Sequence, residues 1–150
     1  MKPLCRSLSA FAILVIALCA FCAIHTIAAP APRSSLARSV DDANAHRFLC
    51  LVNSARSQRG LRPVVLSAKL TNAATEHSHY QASRSDMTHA DTIYGPLQQR
   101  ILRLGLDFTS IAENIAVGAV HAVDQIFNSF MRDQAHYRNI MDPNVSAMGL

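Results

Sequence analysis

"AENIAVG", residues 112–118, decides what kind of fold this chain can form. Glu113 stands there among Ile111, Ile115 and Val117, and a carboxylate in such a run is costly to bury unless something pairs with it. The stretch alternates as a strand does, with Ile111, Glu113, Ile115 and Val117 on one side and small residues on the other. A strand that carries one acid on its apolar side asks for a polar partner from elsewhere. "DQAHYRNIMDP", residues 133–143, offers one in His136, just past an apolar helical run.

Outward from this strand the chain reads as helices separated by clear punctuation. Asp41 or Asp42 caps a helix with apolar positions Phe48, Leu51, Val52 and Ala55, closed by Gly60. "LRPVV" is a brief extended piece, and Ser67 caps a second helix with Leu70, Ala73, Ala74, His77 and Tyr80 along one side. Pro96 opens a third helix with Leu97, Ile101 and Leu104 on one stripe and Gly105 after it. A fourth starts near Ala122 and buries Val123, Ile126, Phe127, Phe130 and Met131. Pro143 forbids further helix, and "VSAMGL" opens another strand. Helices interleaved with short strands predict a layered α/β/α arrangement.

At 150 residues the chain holds one domain. Residues 1–29 have a basic start, an apolar core and small residues Ala28 and Ala29 before prolines, the layout of a secretory signal peptide; a single membrane anchor is the competing reading. Residues 30–42 read as a linker or short pro-segment and 43–150 as the domain. Cleavage near Ala28 would remove Cys5, Cys19 and Cys22, leaving Cys50 without an intramolecular partner and, by its helical context, as a buried small hydrophobe. The net charge of +4 includes the basic start, and the remaining Arg residues are scattered, so nucleic acid is not an expected partner.

Taken in order, "FLCLVNSARSQRGLRPVVLSAKLTNAATEHSHYQAS", "MTHAD", "AENIAVG" and "FMRDQAHYRNIMDP…MGL" resemble the CAP superfamily of cysteine-rich secretory, antigen 5 and pathogenesis-related 1 proteins, in its cysteine-poor branch. The resemblance spans about residues 46–150. It implies a three-layer α/β/α sandwich with a cleft lined by two His and two acids, and C-terminal strands that are incomplete in this chain. The strand opened by "AMGL" would then have an exposed, unpaired edge, prone to dimerise or aggregate. Carried over by position, His89 matches the first family His, Glu113 the Glu of the Glu-Asn-Ile motif, and Asp133 the second acid, three residues after Phe130, where the family usually has Trp. His136 matches a His of the cysteine-poor branch, while the Gly-His-Tyr-Thr-Gln strand of cysteine-rich members is lacking.

His89, Glu113 and His136, with Asp133 less firmly attached, form a set that Zn²⁺ or another divalent cation accepts. Each also has a plain reading: Glu113 accepting backbone N–H groups, His136 favoured by a helix C-terminus, Asp133 a solvated helix-end acid, and His77 a satisfied core histidine. His79 and His121 have no expected role. No Ser or Cys has an evident base beside it, and five glycines are too few for a phosphate-cradling loop. The expected function is a secreted, extracellular binding module for a sterol, lipid or extracellular protein partner, without a stable membrane anchor. A metal-dependent hydrolase or peptidase with Glu113 as base, and a structural or interaction domain with a vestigial cleft, are the alternatives.

Overall fold

The computed structural model describes residues 12–19, 35–119 and 122–150, with residues 12–19 and 35–40 defined by their backbone. The elements are β1 (Ala12–Cys19), α1 (Ser35–Ser57), β2 (Val65–Leu66), α2 (Ala68–Arg84), α3 (Leu97–Leu102), β3 (Ile111–Val117), α4 (Val123–Arg132), α5 (Gln134–Ile140) and β4 (Val145–Gly149). The strands pair in the order β2-β4-β1-β3, and every pairing is parallel.

Helices cover both faces of this sheet, so the three-layer α/β/α arrangement holds. On one face α1 and α4 pack through Phe48 and Val52 against Val123, Ile126, Phe127 and Phe130, a spacing that puts the α4 residues on one helical stripe. Phe48 meets Phe127 and Phe130 edge-on, with centroids 5.8 and 6.2 Å apart. On the other face Leu70, Ala73 and Ala74 of α2 pack with Ile101 of α3, Ile111 of β3 and Ala147 of β4. At Gly149 β4 passes directly against the backbone of α2; a Cβ there would stand 2.1 Å from the carbonyl carbon of Leu70.

Two polar side chains of α1 fix where the next strands go. Asn53 donates to the carbonyl of Val64 and accepts from its N–H, both at 2.9 Å, as a strand neighbour would. Arg56, fully buried, donates to the carbonyls of Arg62 (2.9 Å), Ile140 (2.7 Å), Asp142 (3.0 Å) and Val145 (3.1 Å). Burial lowers its pKa from the ordinary value, opposed by the nearby Asp142 carboxylate.

Several expectations are corrected. Helix α1 starts at Ser35, inside the expected linker, because the SLARSV segment lacks Pro and extending an existing helix costs far less than nucleating one. Cys50 is exposed rather than buried, since it lies about 200° around the helix from Phe48. Residues 134–140 form a separate helix, α5, because the Asp133 carboxylate accepts from the N–H groups of Ala135 and His136 and restarts helix after α4. Burial along β3 does not alternate, as both Glu113 and Asn114 are buried.

The largest difference concerns β1. Residues 12–19, inside the expected signal segment, form the strand between β3 and β4, with Ile13 beside Ile111 and also beside Ala147. The expected unpaired edge next to β4 is thus occupied. The expected cleavage region around Ala28 and Ala29, and His121, lie outside the described residues. Among the described residues no helix is long and apolar enough to cross a membrane.

If residues 1–29 are removed, β3 and β4 lose their shared neighbour, and lost cross-strand pairs are worth roughly 0.2–1 kcal/mol each. Amide hydrogen exchange over 111–117 and 145–149 should then be faster in a 30–150 chain than in a 1–150 chain made without export. Equal protection in the two would remove β1 from the sheet.

Candidate functional site

Along β3, Ala112 and Ala116 pack toward α1 and α4, whereas Ile111 packs toward α2 and α3. Glu113 shares the parity of Ile111 and so faces α2 and α3. There it meets Arg100 from α3, His77 from α2, and His89 from the loop between those helices. Arg100 Nη2 donates to Glu113 Oε1 at 2.8 Å and Oε2 at 2.9 Å, and to the carbonyl of His89 at 3.3 Å. His89 Nδ1 stands 2.9 Å from Glu113 Oε2. Arg100, Glu113 and His77 are buried, while the His89 side chain is 60% exposed.

A second acid lies behind this pair. His77 Nε2 donates to the Thr88 carbonyl at 2.8 Å and lies 3.9 Å from Glu113 Oε2. His77 Nδ1 therefore faces Asp91 Oδ2 across 3.5 Å, a contact that is attractive only with a proton between them, and neither atom has another partner among the described residues. Asp91 Oδ1 accepts from the N–H groups of Ile93 (2.7 Å) and Tyr94 (2.9 Å). Burial pushes the Asp91 carboxyl up, but the N–H groups of Tyr94 and Ile93, together with His77, outweigh it and hold the pKa below its ordinary value.

The expected site residues thus divide. His89 and Glu113 are together. His136 Nδ1 lies 3.0 Å from Asp133 Oδ1, and its ring packs on Phe130 with centroids 4.7 Å apart. The N–H of His136 is the main influence holding Asp133 below the usual carboxylate range. The carbonyl of His136 accepts from Asn114 Nδ2, and Asn139 Nδ2 donates to Asn114 Oδ1, so this end of α5 seats the helix on β3. Among the described residues no group of three or more His, Cys, Asp or Glu side chains is placed to hold a metal ion. A divalent cation does not fit the carboxylate as arranged, because the Arg100 guanidinium already neutralises it.

The sequence reading passed over Arg100, Asp91, Asn114 and Asn139. A signal for Arg100 existed: it stands three residues after Leu97 and four before Leu104, a charge on the apolar stripe of α3 that mirrors Glu113 in β3.

The layered α/β/α fold sets the class of architecture, and the family follows from comparison with known proteins. The family comparison matches residues 49–150 to the cysteine-rich secretory protein family, CAP, and the chain belongs to that family. The uncharacterized protein YkwD of Bacillus subtilis (strain 168) is 25% identical over 100 residues, which cover 67% of this chain and 38% of that protein. The crystal structure of an extracellular protein containing an SCP domain from Bacillus anthracis str. Ames superposes with a TM-score of 0.68 at 20% identity, covering 80% of this chain and 40% of that one. The chain therefore spans about two fifths of the length of these relatives.

Two outcomes follow from the charges. Arg100→Leu leaves a buried carboxylate without its cation and should cost about 3–5 kcal/mol in urea unfolding, while Arg100→Leu with Glu113→Leu should recover most of it. A double variant no more stable than Arg100→Leu would show that the pair is not coupled. Because the Asp91 pKa is lowered on folding, the stability it brings is complete above the unfolded carboxylate value and lost as pH falls through the folded one. Asp91→Asn should lower stability at pH 7 and flatten its decline between about pH 5 and pH 2; an unchanged decline would mean that Asp91 does not contribute to it.

Proposed function

We propose that this chain is a secreted, extracellular CAP-domain binding module that holds a sterol or lipid against the loop carrying His89. The observation that carries this reading is the make-up of that loop. The exposed imidazole of His89 is anchored on the buried Glu113, and Met87, Ile93 and Tyr94 of the same loop are also exposed, Ile93 at 68%. The Arg103 guanidinium lies 3.6 Å from the centre of the Tyr94 ring and steadies that side chain. A ligand with an apolar body and one hydroxyl or headgroup matches such a surface, with apolar contact supplying affinity and the imidazole fixing orientation. The export layout of residues 1–29 and the extracellular description of the B. anthracis protein support secretion.

Glu113 is a poor general base in this arrangement, because both its oxygens accept from Arg100 and its side chain is 1% exposed. The hydrolase reading therefore gains no support from the geometry, and no divalent cation is part of the proposal.

Titration with a fluorescent sterol and with phosphatidylcholine vesicles tests it. Saturable binding is expected to at least one, weakened about tenfold by Ile93→Ser or Met87→Ser, since burying such a side chain contributes about 1.5–3 kcal/mol. Val65→Ser, on strand β2, and added chelator should change nothing. No binding to either probe, or full binding by Ile93→Ser, would instead favour an interaction domain with a vestigial cleft.

A further inference from the structure

The turn into β4 carries a group that neither the core nor the cleft uses. Residues 144–146 read Asn-Val-Ser, the Asn-X-Ser form that oligosaccharyltransferases accept when X is not Pro. No other asparagine of the chain is followed two residues later by Ser or Thr. We propose that Asn144 is an acceptor for an N-linked glycan, an inference that rests on the secreted reading above.

The structure treats this asparagine differently from those it builds with. Asn53, Asn114 and Asn139 spend their carboxamides on Val64, on His136 and on each other. Asn144 is exposed just after Pro143, and its backbone N–H donates to Asp142 Oδ1 at 2.8 Å, which holds the turn. Among the described residues its carboxamide makes no hydrogen bond, so a sugar can be attached there without breaking a contact.

Ser146 supplies the second argument. Its Oγ is sealed from solvent and has no hydrogen-bond partner among the described residues. A buried hydroxyl with nothing to bond is a liability that alanine would avoid, so the fold does not account for it. The acceptor sequence does. Because that hydroxyl must be reached by the transferase, and Val145 beside it is buried in the core, transfer comes before β4 docks.

The co-substrate is an oligosaccharide linked to a lipid diphosphate. The carboxamide nitrogen of Asn144 attacks C1 of the first sugar, and the C1–N bond forms. The C1–O bond breaks with its electron pair leaving on the lipid diphosphate, and one amide proton passes to a base of the transferase.

The full chain would be expressed in a eukaryotic secretory host with its own leader and, in parallel, behind a leader known to work in that host. The expected result is one discrete mass increase, removed by peptide-N-glycosidase with conversion of Asn144 to Asp. The increase should be absent in Asn144→Gln and Ser146→Ala and retained in Ser146→Thr. A synthetic peptide covering residues 141–149, offered to purified transferase, reads acceptor competence without any folding step and should be modified. Modification only behind the host leader would uphold the acceptor and overturn secretion by the native leader. Unmodified secreted chain together with an unmodified peptide, or a mass increase that survives Asn144→Gln, would overturn the proposal.

Discussion

The four carbonyls gathered by Arg56 hold the two halves of the chain together. They belong to Arg62 before β2, to Ile140 and Asp142 at the end of α5, and to Val145 at the start of β4, so a single α1 side chain sets the position of three segments that share no continuous element. Among the described residues no carboxylate balances it directly; the charge is solvated by peptide dipoles, with Asp142 acting at longer range. This is an expensive way to build a junction unless every donor is used, because an unsatisfied buried cation would cost far more than a hydrophobic substitute. Asn53, one turn earlier, does the same for β2 with a neutral amide. Once these two side chains have placed β2 and β4, Gly149 can meet the backbone of α2 without a side chain between them.

Arg100 and Glu113 solve a related problem on the opposite face, and the contrast explains how far the sequence could be read. Glu113 was conspicuous because it interrupts an apolar strand. Its partner was not, because Arg100 lies on a different element and an Arg on a short helix is ordinarily solvated. Local signals read well: the Ser67 cap, the α4 stripe and the Gly105 stop are each written within a few residues. What failed needed either a cap of unusual position, as with Asp133 restarting helix at α5, or knowledge of which side of α1 faces the sheet, as with Cys50. The β1 strand was illegible for a different reason. An apolar run without charge suits both a leader's core and a strand buried on both faces, and composition alone does not separate them.

The site joins a rigid base to an accessible tip. Its acid is spent on Arg100, its second acid on the loop's own backbone and His77, and its second expected imidazole on Phe130 and Asp133. What reaches solvent is one histidine and a rim of apolar side chains, a combination suited to recognition. Beneath it lie the buried charges of Arg100, Glu113 and Asp91, with Asp91 accepting from the loop N–H groups of Ile93 and Tyr94.

The position of β1 also sets a race against time. Ile13 and its neighbours are made first, and their β3 partners follow about a hundred residues later; at roughly 5–20 residues per second, the apolar segment waits roughly 5–20 s before a partner strand exists. If the segment is the leader proposed above, export machinery would meet it within that interval, before its β3 partner exists. A chain captured in that way would give up these residues, whereas a chain made without export keeps them between β3 and β4. The order of synthesis would then weigh beside the strength of pairing in setting whether β1 joins the sheet.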